Sequence, residues 1–356
     1  MRRHLRAAAV LALAVGLLAF FLRGADLERV AAAVGGARRD LLVAALVATG
    51  ATFVVRVIRW CRLLRPLGTV RFRSAFRATM MGFAATAILP GRVGELLRPY
   101  VLARREGLSA SAALATIVVE RLLDVIAVLA LLGVAVLTGP PGREADAGLL
   151  AAVQTGAAVA GAAAVAGLGA ALLAAGNPDR VTRAVDRASA LLPWRAAGAL
   201  RGVASRFVDG FAVLRARRVL LVAFAWSLAH WAAVAAVLLL VTEAFGVALP
   251  VSGAVVLMGL TVVGVAVPTP AGIGGYHAAY QVGATLLYGA PPAAAVAAAL
   301  VLHAMSFLPV AVLGVVYMVQ EGIRPSAFRA LASARPEPGR AGTSTATTPA
   351  AEGRRT

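Results

Sequence analysis

Apolar stretches alternate with shorter polar segments along almost the whole chain. The apolar segments lie at about 7–22, 41–58, 78–90, 112–137, 148–175, 219–242, 251–289 and 292–318. A helix needs about 20 predominantly apolar residues to cross roughly 30 Å of hydrocarbon. The pattern therefore predicts an all-α integral membrane protein.

Two of the apolar segments are interrupted by residues that break helices. The segment within 74–111 is broken at 89–91, and the segment within 251–291 is broken at 268–272. Non-helical backbone inside a bilayer is tolerated only where protein or a water-filled cavity satisfies its polar groups. Each interruption therefore predicts a helical hairpin with a protected turn.

The arginines indicate which side of the membrane each connecting segment faces. Arginine-rich segments lie at 2–6, 56–77, 177–218 and after Gln320, whereas 139–147 and 243–250 together hold one arginine. By the positive-inside rule the first group is cytoplasmic, with both termini, and the second is external. This favours about six transmembrane helices plus two re-entrant helical hairpins, or eight helical segments in all. Two short true spans in place of each hairpin give the same loop charges and remain the alternative.

The two hairpins occupy equivalent places in two halves of the chain. Residues 41–137 are predicted to run as span, hairpin and span, and residues 219–318 repeat that order with the opposite orientation. Interrupted helices in inverted repeats are typical of transporters whose site lies at the repeat interface. We therefore predict an inverted repeat.

The remaining segments complete a polytopic membrane domain over 1–332. The first run, 7–22, follows arginines as in a signal peptide, but bulky residues stand where a cleavage site needs small ones, so a retained helix is favoured. Segment 177–218 mixes apolar residues with arginines, which favours interfacial amphipathic helices over a plain linker. Residues 333–356 are predicted to be a disordered cytoplasmic tail.

Composition narrows the classes of function. With 60% hydrophobic and 14% charged residues, the chain is too apolar for one soluble core. Its net charge of +19 comes from arginine alone and follows the membrane topology, so we predict no nucleic-acid partner. A single cysteine, Cys61, and the absence of phosphate-loop, dinucleotide-binding or hydrolase motifs predict no cofactor, no metal site and no enzyme. The expected location is a bacterial cytoplasmic membrane.

Charged residues inside the spans are the strongest candidates for chemistry. Each costs about +2.5 to +3.5 kcal/mol at a helix centre, and such residues usually mark a pathway or a paired site. Glu120, Arg121 and Asp124 lie within 112–137, and the two carboxylates share one helix face.

Three charged residues at and after the first break are the natural partners of these carboxylates. They are Arg92, Glu95 and Arg98. One interpretation is a polar cluster that lines a cavity and binds a charged headgroup. The other is a structural ion-pair network that ties the hairpin to the neighbouring span, and both stay open.

Arg56, Arg59 and Trp60 stand at the predicted cytoplasmic end of the second span. Arginine and tryptophan at that level are ordinary interface anchors. The alternative is a phosphate clamp, for which the guanidinium fork is suited.

The second break combines flexible backbone with histidine. Its backbone candidates are Pro270, Gly272, Gly274 and Gly275. A helix beginning here attracts anions through its free N–H groups and dipole. His277 follows directly and is the leading histidine, ahead of His303 in the last span and His230 beside Trp231.

These motifs, in this order, resemble the transmembrane region of lysylphosphatidylglycerol synthases, whose stand-alone relatives form a flippase-like family. The matching stretches are Arg56-x-x-Arg59-Trp60, 89–98, 120–124 and 270–274, within roughly 40–320. In the synthases this region is associated with moving aminoacylated lipid across the bilayer, so the resemblance implies lipid translocation. Synthase activity is not expected, because membrane segments and the tail fill the chain. His277 stands near the place of an acidic residue in many relatives, which is a departure from the family pattern.

The leading hypothesis is a translocase for an anionic phospholipid, an aminoacylated phospholipid or a polyprenyl-phosphate sugar. Arg92 and Arg98 would contact phosphate, Glu120 and Asp124 would balance charge or bind an amine, and the turn at 268–277 would gate. A second hypothesis is a non-catalytic membrane partner of a separately encoded glycosyl- or aminoacyl-transferase, docked through 177–218. A third is a membrane-embedded transferase, which lacks a donor-binding motif.

Overall fold

A computed structural model describes residues 12, 15–88, 94–138, 147–190, 197–198, 201–202, 216–266 and 269–322. Over these ranges the regular structure is helical. The helices are α1 (15–22), α2 (Leu27–Gly36), α3 (Arg39–Leu64), α4 (Phe72–Ile88), α5 (Gly94–Glu106), α6 (Ala110–Thr138), α7 (Ala147–Gly176), α8 (Pro178–Ser189), α9 (Arg217–Ala244), α10 (Val251–Ala266), α11 (Gly275–Tyr288) and α12 (Pro292–Gln320).

The architecture is that of a multi-pass helical membrane protein, as the hydrophobic pattern predicted. Within the described ranges, Arg39–Leu67, Arg217–Ala244 and Pro292–Gln320 are long and apolar enough to cross a membrane. Large apolar side chains also cover outer helix faces: Leu308 on α12 is 62% exposed and Val263 on α10 is 68% exposed. Such apolar outer surface is the composition that a lipid environment favours.

The two interrupted segments fold as paired helices. In the first pair, α4 has 17 residues and packs against α5 with 13. In the second, α10 has 16 residues and packs against α11 with 14. At 1.5 Å per residue these arms are about 20–26 Å long, shorter than the roughly 30 Å of hydrocarbon. The break between α10 and α11 contains a tight 3-10 turn at Pro270–Gly272, whereas 89–93, with Arg92, lie outside the described residues.

Both hairpins bring their arms together at a pair of glycines. A Cβ on Gly94 of α5 would lie 1.9 Å from the carbonyl oxygen of Gly82 on α4. A Cβ on Gly264 of α10 would lie 2.4 Å from the carbonyl oxygen of Gly275 on α11. These are far shorter than van der Waals contacts, so only glycine permits the observed approach in either hairpin.

The two halves interlock. The first arm of each hairpin packs against the last long helix of the other half, α4 against α12 and α10 against α6. Helices α3 and α9 pack along each other, and the Arg38 N–H donates to the Ala244 carbonyl at 2.9 Å. Helix α4 also contacts the turn Pro270–Gly272. The second break therefore lies against the first hairpin in the interior.

Other predicted segments are covered only in part. The predicted linker 177–218 contains a helix, α8, but most of its second half lies outside the described residues. The predicted tail 333–356 lies wholly outside them.

Candidate functional site

A single buried carboxylate, Glu120 on α6, lies at the centre of the site. Arg98 from α5 donates to both of its oxygens, at 3.0 and 3.2 Å. The Arg59 Nη2 atom from α3 lies 3.0 Å from Oε1, and the Arg56 Nη1 atom lies 3.9 Å from it. The Glu120 side chain is fully buried. One carboxylate therefore holds three guanidinium groups and joins α3, α5 and α6.

Asp124, one turn further along α6, extends the cluster to α9. It accepts hydrogen bonds from Arg59 through both carboxylate oxygens and from the Trp231 indole N–H at 2.9 Å. Arg59 also donates to the Ser227 hydroxyl at 2.7 Å. The side chains of Arg59 and Asp124 thus join α3 and α6 to α9.

Arg56, Arg59 and Trp60 are buried, which corrects their interpretation as interface anchors. Trp60 is fully buried, with its ring centroid 3.8 Å from the Arg98 guanidinium and its N–H donating to Thr116 at 3.1 Å. The predicted span ended near residue 58, but α3 continues to Leu64. Inside the protein, Glu120 and Asp124 of α6 pair closely with Arg59, and the Arg56 Nη1 atom lies 3.9 Å from Glu120 Oε1.

The contacts of His230 fix its protonation state. Its Nδ1 lies 3.1 Å from the Thr52 carbonyl, which only accepts, so Nδ1 carries the ring proton. Its Nε2 lies 2.9 Å from Arg56 Nη2 and must accept, because a guanidinium only donates. His230 is therefore neutral and adds no counter-charge beside Arg56.

The buried cluster carries an excess of positive charge. Its buried cations are Arg56, Arg59 and Arg98, and its buried anions are Glu120 and Asp124. Arg98 and Arg59 are engaged by carboxylates at about 3 Å, whereas the nearest carboxylate oxygen that pairs with Arg56 is 3.9 Å away. Within the described part of the chain the Nε atoms of all three buried arginines lack a hydrogen-bond partner, so the distance to the carboxylates is what distinguishes Arg56. The unmatched charge is therefore centred on Arg56.

A half-exposed ion pair continues the cluster. Arg121 on α6 lies 3.6 Å from Glu95 on α5 and 3.6 Å from Asp124. Arg121 and Glu95 are 39% and 36% exposed, so water screens them more than the buried group.

A cavity of about 900 Å³ connects the ionic cluster to the second break. Its charged lining residues are Arg56, Glu95, Arg121 and Asp124. At and near the second break it is lined by Thr269, Ala271, Gly272, Tyr276 and Ser306. The remaining walls are mainly apolar, with Phe53, Phe83, Leu129 and Val310 among them. The described lining does not include Arg98 or Glu120, so these two contact other residues of the ionic cluster rather than the cavity.

The second break presents backbone and histidine. Ala271 adopts φ 53°, and Gly272 and Gly274 adopt φ 74° and 90°, a left-handed region that is unfavourable for alanine. The Gly274 N–H donates to His277 Nδ1 at 3.3 Å, within the first turn of α11. His277 is buried and does not line the cavity in the described structure.

Most of the residues predicted from charge converge here. Glu95, Arg98, Glu120, Arg121 and Asp124 meet in one network, whereas Arg92 lies outside the described residues. Sequence reasoning missed Ser227, Thr116 and Trp231, because serine, threonine and tryptophan are ordinary in apolar helices.

Within the described residues, no group of three His, Cys, Asp or Glu side chains is placed to hold a metal ion.

Comparison of the sequence with known proteins gave a family match and a distant curated relative. A family model described as "Lysylphosphatidylglycerol synthase TM region" matches residues 7–314. The curated protein "Glycosyltransferase AglD" from Haloferax volcanii is 29% identical over 326 residues, which covers 82% of this chain and 50% of AglD. The chain thus spans about half the length of this relative.

Proposed function

The chain belongs to the family of the lysylphosphatidylglycerol synthase transmembrane region, and we propose that it acts as a flippase-like lipid translocase. This membership confirms the resemblance predicted from the motifs. We propose that it lies in a bacterial cytoplasmic membrane with both termini in the cytoplasm, because both terminal segments are rich in arginine and arginine-rich segments stay on the cytoplasmic side. In this proposal six spans and two re-entrant hairpins form an inverted repeat, and the chain itself is not an enzyme.

The observation that carries the proposal is the cavity between the hairpins. Its largely apolar walls suit an acyl or polyprenyl chain, and its charged lining includes Arg56, whose paired carboxylate oxygen is 3.9 Å away. Buried cations recognise phosphate through charge-assisted hydrogen bonds. This combination of surfaces suits a lipid with a phosphate in its headgroup.

The contacts divide the roles of the arginines. Arg98 donates both terminal nitrogens to Glu120, so we assign it a structural role. Arg56 and Arg121 line the cavity, and we assign them the phosphate contact. Asp124 and Glu95 line the same end and suit the amine of an aminoacylated lipid. Anionic phospholipid, aminoacylated phospholipid and polyprenyl-phosphate sugar all remain within this substrate class.

Filling the cavity tests the proposal without disturbing the ion network. Purified protein is reconstituted into liposomes with fluorescent lipids, and transbilayer movement is read by dithionite quenching. We expect Ala87→Trp, at a half-buried position of the cavity wall, to abolish the movement that wild-type protein supports. Ala130→Trp, at an exposed position on α6, is the matched control and should retain movement.

Two outcomes count against translocation through this cavity. Equal rates for Ala87→Trp and Ala130→Trp would show that lipid does not pass through it. Failure of wild-type protein to move anionic, aminoacylated and polyprenyl-phosphate probes alike would favour a different role.

The alternative function is that of a non-catalytic membrane partner of a separately encoded glycosyl- or aminoacyl-transferase. It is favoured by the name of the relative AglD, a glycosyltransferase about half of whose length this chain covers. In this alternative 177–218 docks the transferase on the cytoplasmic side. Co-expression with transferases encoded nearby, followed by co-purification, tests it, and association that survives deletion of 177–218 would contradict it.

A further inference from the structure

His277 and His303 form a close pair beside the second break. Their ring centroids lie 4.6 Å apart, His277 in the first turn of α11 and His303 in the middle of α12. The ionic cluster does not involve them, because each is held by backbone next to the turn Pro270–Gly272. Their protonation states follow from those backbone contacts.

Each ring has one nitrogen fixed and one nitrogen left over. His303 Nε2 lies 2.9 Å from the Ala271 carbonyl oxygen, which only accepts, so Nε2 carries a proton and Nδ1 is left as an acceptor with no donor among the described residues. His277 Nδ1 accepts the Gly274 N–H at 3.3 Å, so its proton is on Nε2. A further proton enters most readily at His303 Nδ1, because protonating His277 Nδ1 would break its contact with Gly274.

The surroundings of the pair are aromatic. The Phe307 ring stacks on His303 at 4.4 Å, the Tyr276 ring lies 5.2 Å from His303, and the Phe21 ring lies 5.1 Å from His277. Aromatic faces at these distances stabilise a cation. They supply no counter-charge.

The helices packed around the pair also carry few charges. Helices α10, α11 and α12 and residues 15–22 contain no Asp, Glu, Lys or Arg. The charged residues of α2, Glu28 and Arg29, are exposed. On α4 the arginines are Arg73 and Arg77, in its first two turns, away from the break. Helices α3 and α9 also pack against α12, but none of their charged side chains pairs with either histidine. Among the described elements the titratable groups in contact with the pair are Tyr276 and, for each ring, the other histidine, so a proton bound here lacks a fixed partner.

The cavity provides the missing partner. Tyr276 and Ala271, which contact His303, also line the cavity, and the two histidines lie behind them. An anionic headgroup against Tyr276 and Ala271 would be one residue away from the protonated pair, and the two charges would stabilise each other in a medium of low dielectric constant. Like-charge repulsion at a ring separation of 4.6 Å limits the pair to one proton at a time.

We propose that His277 and His303 form a single proton-binding site whose occupancy rises when an anionic headgroup enters the part of the cavity lined by Tyr276 and Ala271. The cavity then has a permanent cation, Arg56, in its lining and a conditional cation behind Tyr276 and Ala271. When a phosphate-bearing lipid reaches that part of the cavity, the histidine pair takes up a proton, which couples the movement of the lipid to the proton gradient. This inference rests on the proposed translocation, although proton binding is measurable without transport.

The test is nitrogen NMR of the full chain in detergent, with isotope-labelled histidine. The chain has four histidines, so variants such as His303→Gln and His277→Gln assign the signals. The protein is titrated from about pH 8 to about pH 5, which covers the range in which histidine usually changes charge. The soluble probes are hexyl phosphate and, as the uncharged match, hexanol.

We expect one proton to enter at His303 Nδ1 while His230 keeps its neutral Nδ1–H form. Hexyl phosphate should raise the proton-binding constant of the pair about tenfold, and hexanol should leave it unchanged. A pair that stays neutral throughout the titration, or that responds equally to both probes, overturns the inference. The titration itself uses wild-type protein, and if one histidine variant fails to fold, the variants of the other three histidines still assign its signal by difference.

A transport arm separates this inference from the proposed function. If the wild-type protein moves lipid at a rate that does not depend on an imposed pH gradient, and His303→Gln moves it equally fast, the proposed proton coupling is wrong and translocation stands. Phosphate-dependent proton uptake in the NMR titration, together with no movement of any lipid, would keep the proton site and remove the translocase.

Discussion

The first hairpin, α4–α5, and the second, α10–α11, have arms of nearly equal length and the same close contact between glycines. Around the first, α3 and α6 bring together buried arginines and carboxylates. Around the second, the equivalent space holds histidine and aromatic rings, and Tyr280 makes one neutral hydrogen bond of 2.7 Å to Thr242.

The difference shows that this hairpin frame does not require charge. Buried ion pairs are weak evidence for stability, because desolvation offsets much of their attraction. Since the second hairpin packs without them, we attribute the ionic cluster of the first to the site that it forms. Three experiments, in order of expected effect, test that comparison.

Removing the central carboxylate should have the largest effect. Glu120→Gln leaves Arg59 and Arg98 buried without their shared counter-charge and turns an NH2 donor toward one of them, and we expect a loss of about 3–5 kcal/mol in the free energy of unfolding. Denaturant unfolding in detergent measures it. Glu243→Gln, at an exposed carboxylate on α9, is the matched control and should behave like wild type. Equal stability of the two variants would mean that the first half, like the second, depends only on apolar packing.

Adding a methyl group at the glycine contacts should affect both hairpins alike. Gly94→Ala and Gly264→Ala each push a Cβ into a backbone carbonyl, and we expect each to lose about 1–3 kcal/mol of unfolding free energy. Gly133→Ala, where nothing lies within 4 Å of the added Cβ, should lose none. A large loss at Gly94 combined with none at Gly264 would show that the two frames are not equivalent.

Removing one neutral hydrogen bond in each half should have the smallest effect. Trp60→Phe loses the 3.1 Å bond to Thr116, and Tyr280→Phe loses the 2.7 Å bond to Thr242. We expect about 1 kcal/mol for each, because the remaining ring keeps most of its packing. Thermal unfolding of both variants beside Tyr100→Phe, at an exposed position, provides the comparison. If Trp60→Phe lost several times as much unfolding free energy as Tyr280→Phe, the contact between the Trp60 ring and the Arg98 guanidinium would contribute to the stability of the ionic cluster.

Part of the site was predictable because charge inside a membrane is costly. That cost singled out Glu120, Arg121 and Asp124, and the nearby break singled out Arg98. The role of Arg59 was not predictable in the same way, because an arginine near the end of an apolar stretch looks the same whether it faces headgroups or protein. The burial of Arg59 became clear only from the structure, in which α3 extends to Leu64 and packs against protein at that level.

The cavity and the histidine pair depend on packing between distant parts of the chain. His277 and His303 are 26 positions apart on different helices, and Ala271 contacts His303 only because α11 and α12 pack together. Sequence patterns report the face of one helix, not the register between two. The hairpins were therefore predictable from their breaks, whereas the space between them was not.

The ion pair between Arg59 and Asp124 also constrains how the protein is made. Its partners are 65 residues apart, so at about 5–20 residues per second Arg59 is synthesised roughly 3–13 s before the carboxylate that neutralises it. During that delay α3, if it were alone in lipid, would expose to the hydrocarbon the Arg59 charge that the folded protein buries. We therefore expect α3 to remain within or beside the insertion machinery and to enter the bilayer together with α6 rather than in order of synthesis.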